Sequence, residues 1–243
     1  MQIDKMVKAR LDSLMSKVTK APAREIQFKA GASVLVISPH YDDDVISCFG
    51  AIRKHYMSDC KIDILYIADG VESLDSGISR QELCEVRKKE ASAAVHSFFP
   101  NVSLFHMMQQ DGKVTATDES VDFLANMITG EKYDYIYCTG GTDSHKDHRA
   151  TYAILKKALD KTGHECTIRY FEFWKPLDNA NVYVDISDCL EAKKESISYH
   201  ESQLKFIDYV EFAEYVNLWR GQQVGCTACE AYEEVMITSL KEA

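Results

Sequence analysis

The sequence predicts an α/β fold, a doubly wound and mostly parallel sheet held between layers of helices. Short runs rich in β-branched residues, such as Val34–Ile37 and Lys61–Asp69, read as strands covered on both faces. Between them lie stretches of helical period, and strand–helix alternation at this spacing builds parallel sheets. With 46% hydrophobic residues in 243, the chain can bury a core without a disulfide scaffold. One domain is expected over 1–243, with an N-terminal amphipathic helix over 1–25, a core over 32–174, and a C-terminal strand and helices over 175–243.

Taken in order, Met6, Leu11, Leu14, Met15 and Val18 alternate with charges, which suits an amphipathic helix and not a signal peptide. The first strand, Val34–Ile37, should end near Pro39, because proline cannot extend a ladder through its own nitrogen. A helix follows over Val45–Tyr56, then the strand Lys61–Asp69. Ser79 is placed to cap a helix over Arg80–Phe99. Val102–His106 is a third strand, and Ser120–Ile128 a helix closed by Gly130. Asp134–Cys138 is a fourth strand, Arg149–Lys161 a helix and Thr167–Trp174 a fifth strand. Val182–Ile186 is a sixth, with Ser187 capping a helix over Asp188–Leu204. Helices are expected near Glu211–Arg220 and Ala228–Leu240.

Composition excludes some classes. A net charge of -10 with no basic stripe argues against nucleic-acid or anionic-membrane partners. No apolar run approaches the roughly 18 residues of a membrane span. Eight scattered cysteines without a secretory signal read as reduced and largely buried, and a cytoplasmic location follows. The Cys226–Cys229 pair has no second pair to complete a metal site.

Two polar clusters carry the chemistry. His40, Tyr41, Asp42, Asp43 and Asp44 follow the first strand, where open α/β sheets place ligands. Three adjacent acids and a histidine call for a compensating cation. Alone, this cluster also fits a magnesium-binding phosphorelay receiver using Asp42, Asp43 and Asp69. Asp143, His145, Asp147 and His148 follow the fourth strand and would meet the first cluster over the strand ends. A magnesium receiver has no use for these histidines, whereas histidine, aspartate and a distant histidine suit a zinc site with one open position.

Pro39-His40-Tyr41-Asp42-Asp43-Asp44 together with His145-Lys146-Asp147-His148 resembles the PIG-L (LmbE-like) deacetylases. Arg87–Glu90, Val184–Ser187, Tyr199, Ser202-Gln203, Arg220-Gly221 and Glu230–Tyr232 extend the likeness over roughly Ala32 to Glu234. The resemblance implies a Rossmann-like three-layer sandwich and a zinc-dependent enzyme that removes acetyl groups from N-acetylglucosamine units. It implies His40, Asp43 and His148 as ligands of zinc or another divalent transition metal. It implies Asp42 as general base, and His145 as electrostatic partner of the carbonyl with Asp147 orienting it. Tyr41 stands where the family has proline and would bring a phenol near the pocket; Asp44 stands where it has glutamate.

Amide hydrolysis needs these residue types, because zinc lowers the pKa of bound water from about 15.7 to about 7. Asp42 would take that water's proton and return it to the amine, while zinc and a protonated His145 stabilise the oxyanion. Cleavage of another amide or an ester is the alternative on the same site. Arg80 could reach a sugar hydroxyl or phosphate, and its plainer reading is a solvated arginine. Arg87 and Glu90, three apart on one helix, read as an ion pair, and the C-terminal aromatics as packing. The partner is a small amino-sugar substrate, and the N-terminal helix and aromatic C-terminal segment could support a homo-oligomer.

Overall fold

Side chains of the central strand β2 (Ser33–Ser38) point alternately to two cores. Val34 and Val36 enter one, Leu35 and Ile37 the other, and all four are buried. A strand buried on both faces needs helices on both sides, which is the three-layer arrangement the sequence predicts. The computed structural model describes residues 21–71 and 78–238. Within them the order is β1 (Arg24–Glu25), β2, α1 (Asp43–Tyr56), β3 (Lys61–Ala68), α2 (Arg80–His96), β4 (Ser103–Gln109), α3 (Asp118–Glu131) and β5 (Tyr135–Thr139). There follow α4 (Lys146–Thr162), β6 (Cys166–Phe171), β7 (Val182–Asp185), α5 (Leu190–Ser198), α6 (Glu201–Leu204), α7 (Tyr209–Val224) and β8 (Cys229–Ile237).

The eight strands form one sheet in the order β1-β7-β8-β6-β5-β2-β3-β4. Only the pairings of β8 are antiparallel; all the others are parallel. From β2 the chain moves outward through β3 and β4, then returns to β5 on the other side of β2. The carboxyl ends of β2 and β5 therefore flank a topological switch point, where ligands bind in sheets of this kind.

Several local expectations need correction. Most of the N-terminal helix expected over 1–25 lies outside the described residues, but Arg24–Glu25 pairs with β7 as a strand. Gly130 does not end α3; the helix runs to Glu131 and Lys132 takes the left-handed position at φ 53°. Ser79 does cap α2, in a reciprocal capping box with Glu82. Ser187 caps nothing: its hydroxyl accepts N–H groups from Thr227 and Ala228, and the helix expected over Asp188–Leu204 is divided at Tyr199-His200. The segment expected as a last helix near Ala228–Leu240 is strand β8, inserted between β6 and β7. No helix among the described residues is long and apolar enough to cross a membrane.

Candidate active site

The first cluster is a locked turn. Ser38, fully buried, donates its hydroxyl hydrogen to the His40 carbonyl (2.6 Å) and accepts the Asp44 N–H (3.0 Å). The His40 N–H donates to Asp43 Oδ2 (2.8 Å), so the carboxylate that opens α1 also fixes the loop behind it. Asp44 turns away into the core, where the Tyr66 hydroxyl donates to it at 2.9 Å. Burial pushes its carboxyl up to about 8, against the Tyr66 bond. Tyr41 is buried too: its ring packs on Tyr66 and its hydroxyl meets Met108 Sδ at 3.7 Å, so the expected phenol does not line the pocket.

The second cluster is braced from three sides. Asp143 Oδ1 accepts the His145 N–H at 2.7 Å, and Arg149 holds the carbonyls of Asp143 and Ser144, both at 2.7 Å. His145 caps α4, its Nδ1 accepting the Asp147 N–H at 3.3 Å. That backbone bond, and not the Asp147 carboxylate, is what holds the His145 ring. The carboxylate accepts N–H groups from Gly112 (2.6 Å) and Val114 (3.3 Å), tying the loop after β4 to the start of α4.

The clusters meet. Asp43 Oδ2 lies 3.2 Å from His40 Nδ1 and 3.4 Å from His148 Nε2. Ring centroids of His40, His145 and His148 are 5.0 to 5.4 Å apart. Ligand atoms of His40, His145 and His148 lie within 4.8 Å of one another, as do those of His40, Asp111 and Asp147. His148 is fully buried, and neither ring nitrogen has a hydrogen-bond partner. Both nitrogens instead face carboxylate oxygens at 3.4 Å, Nε2 that of Asp43 and Nδ1 that of Asp143, so Asp143 orients the ring and Nε2 is turned to the site. Nitrogen and carboxylate donors converging on one point, with a buried imidazole held by a carboxylate behind it, fit a zinc-type ion.

Electrostatics follow from the crowding. Burial disfavours charge on His40, but Asp111, Asp147 and Asp43 outweigh it and raise its pKa well above 6.5. Burial also works against charge on Asp43, yet His148 and His40 hold its carboxyl below the usual range. Asp42 is lifted to about 6, by burial first and the charge of Asp43 second. Burial, then His40 and His148, lower the pKa of His145. This direction runs against the protonated His145 expected from sequence.

These groups floor a cavity of about 210 Å³ lined by His40, Asp42, Asp43 and His145, and also by Arg87 and Asp111, which the sequence reading did not place there. Arg87 is buried, turned away from the expected ion pair with Glu90 and toward Asp111 (3.6 Å). Glu90 instead accepts both the N–H (2.8 Å) and the hydroxyl (2.6 Å) of Ser202. Arg80 is exposed, 3.9 Å from Asp69, and outside this lining. Asp69, which a receiver would use beside Asp42, accepts backbone N–H groups of Val71 and Asp111. Phe173, Trp174, Gln203, Phe206, Ile207 and Tyr209 complete the walls, so Trp174 and Tyr209 are cavity residues. All eight cysteines are free and none lines the cavity.

The family profile described as PIG-L, GlcNAc-PI de-N-acetylase, matches residues 35–159. The diacetylchitobiose deacetylase of Thermococcus kodakarensis is 26% identical over 193 residues, 70% of this chain and 69% of that protein. The structure of N,N'-diacetylchitobiose deacetylase from Pyrococcus horikoshii, bound to an inhibitor, superposes with a TM-score of 0.75 at 21% identity, covering 99% of this chain and 98% of the other. GalB, a 4-carboxy-2-hydroxymuconate hydratase from Pseudomonas putida KT2440, superposes with a TM-score of 0.72 at 18% identity, over 87% and 100%. Likeness at such identities shows the fold; a hydratase on the same fold means that the reaction must be argued from the site.

Proposed function

We propose that this chain, which belongs to the PIG-L (GlcNAc-PI de-N-acetylase) family, is a zinc-dependent hydrolase that deacetylates an N-acetylglucosamine-type amino sugar or its conjugate. The observation that carries this reading is the Asp43 carboxylate oxygen lying within 3.4 Å of a nitrogen of both His40 and His148. His40, Asp43 and His148 would hold the metal, which when bound acidifies a water and polarises the acyl carbonyl. Asp42, on the cavity wall, accepts the proton of the attacking water. A carboxyl lifted to about 6 binds that proton well enough to deliver it to the departing amine. His145 acts as a neutral donor: with Nδ1 occupied by the Asp147 N–H, the ring proton sits on Nε2 and serves the oxyanion. Asp147 braces the loop that carries Asp111, and also approaches His40 Nε2 at 3.6 Å. Arg87 and Asp111 offer donors and acceptors to sugar hydroxyls, the part first given to Arg80.

The test couples metal analysis to amine release from N-acetylglucosamine conjugates. His148→Ala should lose the metal. Asp42→Asn should keep it and lose roughly 10²- to 10⁴-fold in turnover, the usual worth of a general base. Undiminished release by Asp42→Asn removes the proposed base, and ester cleavage without amine release would mark the alternative hydrolase.

A further inference from the structure

The two ring nitrogens of His40 face different groups. Nδ1 is turned toward Asp43 Oδ2 (3.2 Å), the same oxygen that faces His148. Nε2 is turned toward Asp111 Oδ1 at 3.3 Å and, at a longer 3.6 Å, toward Asp147 Oδ2. A neutral imidazole that offers its lone pair at Nδ1 keeps its proton on Nε2, and that N–H needs an acceptor. Asp111 is buried, and so is most of the His40 side chain, so water does not compete freely for the contact.

Of the two carboxylates, Asp111 is the nearer, and Asp147 is committed elsewhere. Asp147 Oδ2 accepts the Gly112 N–H at 2.6 Å and Oδ1 the Val114 N–H at 3.3 Å. Those bonds hold the turn on which Asp111 sits. Asp69 holds the same turn from the other side, accepting the Asp111 N–H at 3.0 Å. Gly112 takes φ 77° there, a conformation natural to glycine. Residues that follow β3, β4 and β5 thus combine to set one carboxylate behind His40, as Asp143 is set behind His148. The other oxygen of Asp111, Oδ2, lies 3.6 Å from Arg87. Ligand atoms of His40, Asp111 and Asp147 lie within 4.8 Å of one another, which could otherwise be taken for a second ion site. The bonds to Gly112 and Val114 argue against that, since both Asp147 oxygens are already used.

Resting on the metal ligands proposed above, we infer that Asp111 is a positioning residue, which accepts the Nε2 proton of His40 and so aims Nδ1 at the ion shared with Asp43 and His148. A carboxylate behind a ligating imidazole fixes both its tautomer and its direction. The part in sugar binding given to Asp111 above then falls to its other oxygen, beside Arg87.

Calorimetric titration of the full chain, stripped of metal, with zinc reads this without any substrate. Asp111→Ala should weaken zinc binding by roughly 10- to 100-fold, as loss of such a carboxylate does. Asp111→Asn keeps an acceptor oxygen for Nε2 and should recover most of that loss. Arg87→Met removes the other contact of Asp111; it should raise KM in amine release and leave zinc affinity at the parental value. In the cobalt-loaded protein the visible bands, which follow ligand geometry, should shift in Asp111→Ala and stay in place in Arg87→Met. Parental zinc affinity in Asp111→Ala overturns the inference and leaves the deacetylase reading standing. Equal loss of zinc in Asp111→Ala and Arg87→Met also overturns it, because a general loosening of the turn would explain both. Two zinc equivalents in the parent, with one missing from Asp111→Ala, would assign Asp111 to a second ion and overturn it as well. A parent chain that takes up no zinc overturns the metal reading beneath, and the inference with it.

Discussion

At His145 one backbone contact orients the ring. The Asp147 N–H donates to Nδ1, which in a neutral ring leaves the proton on Nε2, and burial with two neighbouring imidazoles favours that neutral form. A neutral donor can be imitated by an amide. We expect His145→Gln to stay within roughly tenfold of the parent in kcat, and His145→Ala to lose about 10²- to 10³-fold, as removal of an oxyanion donor does. Equal loss in both would mean that an imidazolium is required. His55 gives a second residue-scale prediction, far from the site. Burial first, and Arg169 second, lower its pKa to about 3, below the unfolded value of about 6.5. Between these values the unfolded chain takes up a proton that the folded chain refuses, so stability falls as pH falls. The loss in unfolding free energy from pH 7 to pH 5 should shrink by about 2 kcal/mol in His55→Gln, measured by urea titration. Legibility at this scale follows position. His40, Asp42, Asp43, His145 and His148 are readable because each cluster directly follows an apolar strand. Arg87 and Asp111 are not, since one hides among the charges of Arg87–Glu90 and the other looks like an ordinary Asp-Gly turn.

At the scale of elements, the turn from β2 into α1 is held by one hydroxyl. Ser38 links the carbonyl of His40 to the N–H of Asp44, spanning the residues proposed to bind metal and move the proton. Ser38→Ala leaves both groups without that partner in a buried place, which costs about 1 to 3 kcal/mol. It should also weaken metal retention, because the His40 ring hangs from the loosened peptide. Isothermal titration with zinc against chemical unfolding separates the two effects, and unchanged affinity would show that the hydroxyl serves stability alone. Strands β2 to β7 and the first four described helices are readable because period and Gly/Pro punctuation agree with their tertiary setting. Strand β8 is not. Its CEAYEEVMI is rich in glutamate and reads as helix, but those acids find partners far away in sequence. Arg169 and Arg24 hold Glu234, and Lys193 holds Glu230, so tertiary contacts override local propensity.

Across the whole molecule, β8 is the member that fastens the site to the sheet's far half. Glu230, nearly fully buried, accepts the N–H groups of Gly50 (2.8 Å) and Ala51 (2.9 Å) in α1, the Tyr232 hydroxyl (2.7 Å) and Lys193 Nζ (2.9 Å) from α5. Gly50 permits this approach, since a Cβ there would stand 2.1 Å from Ile186 Cγ2 and 3.1 Å from Glu230 Oε2. One carboxylate thus ties β8 and α5 to the helix whose first turn carries Asp43 and Asp44. Both partners of the ion pair are about 1% exposed, so removing one strands a charge in low dielectric. Lys193→Met should cost about 3 to 5 kcal/mol of unfolding free energy, the usual result of breaking a buried pair from one side. Adding Glu230→Gln to it removes the stranded charge while keeping an oxygen for one of the two α1 amides. The double variant should therefore be more stable than Lys193→Met alone, a coupling that a double-mutant cycle reads directly. A single Lys193→Met variant within about 1 kcal/mol of the parent would mean that the carboxylate tolerates its charge with its three remaining donors, Gly50, Ala51 and Tyr232.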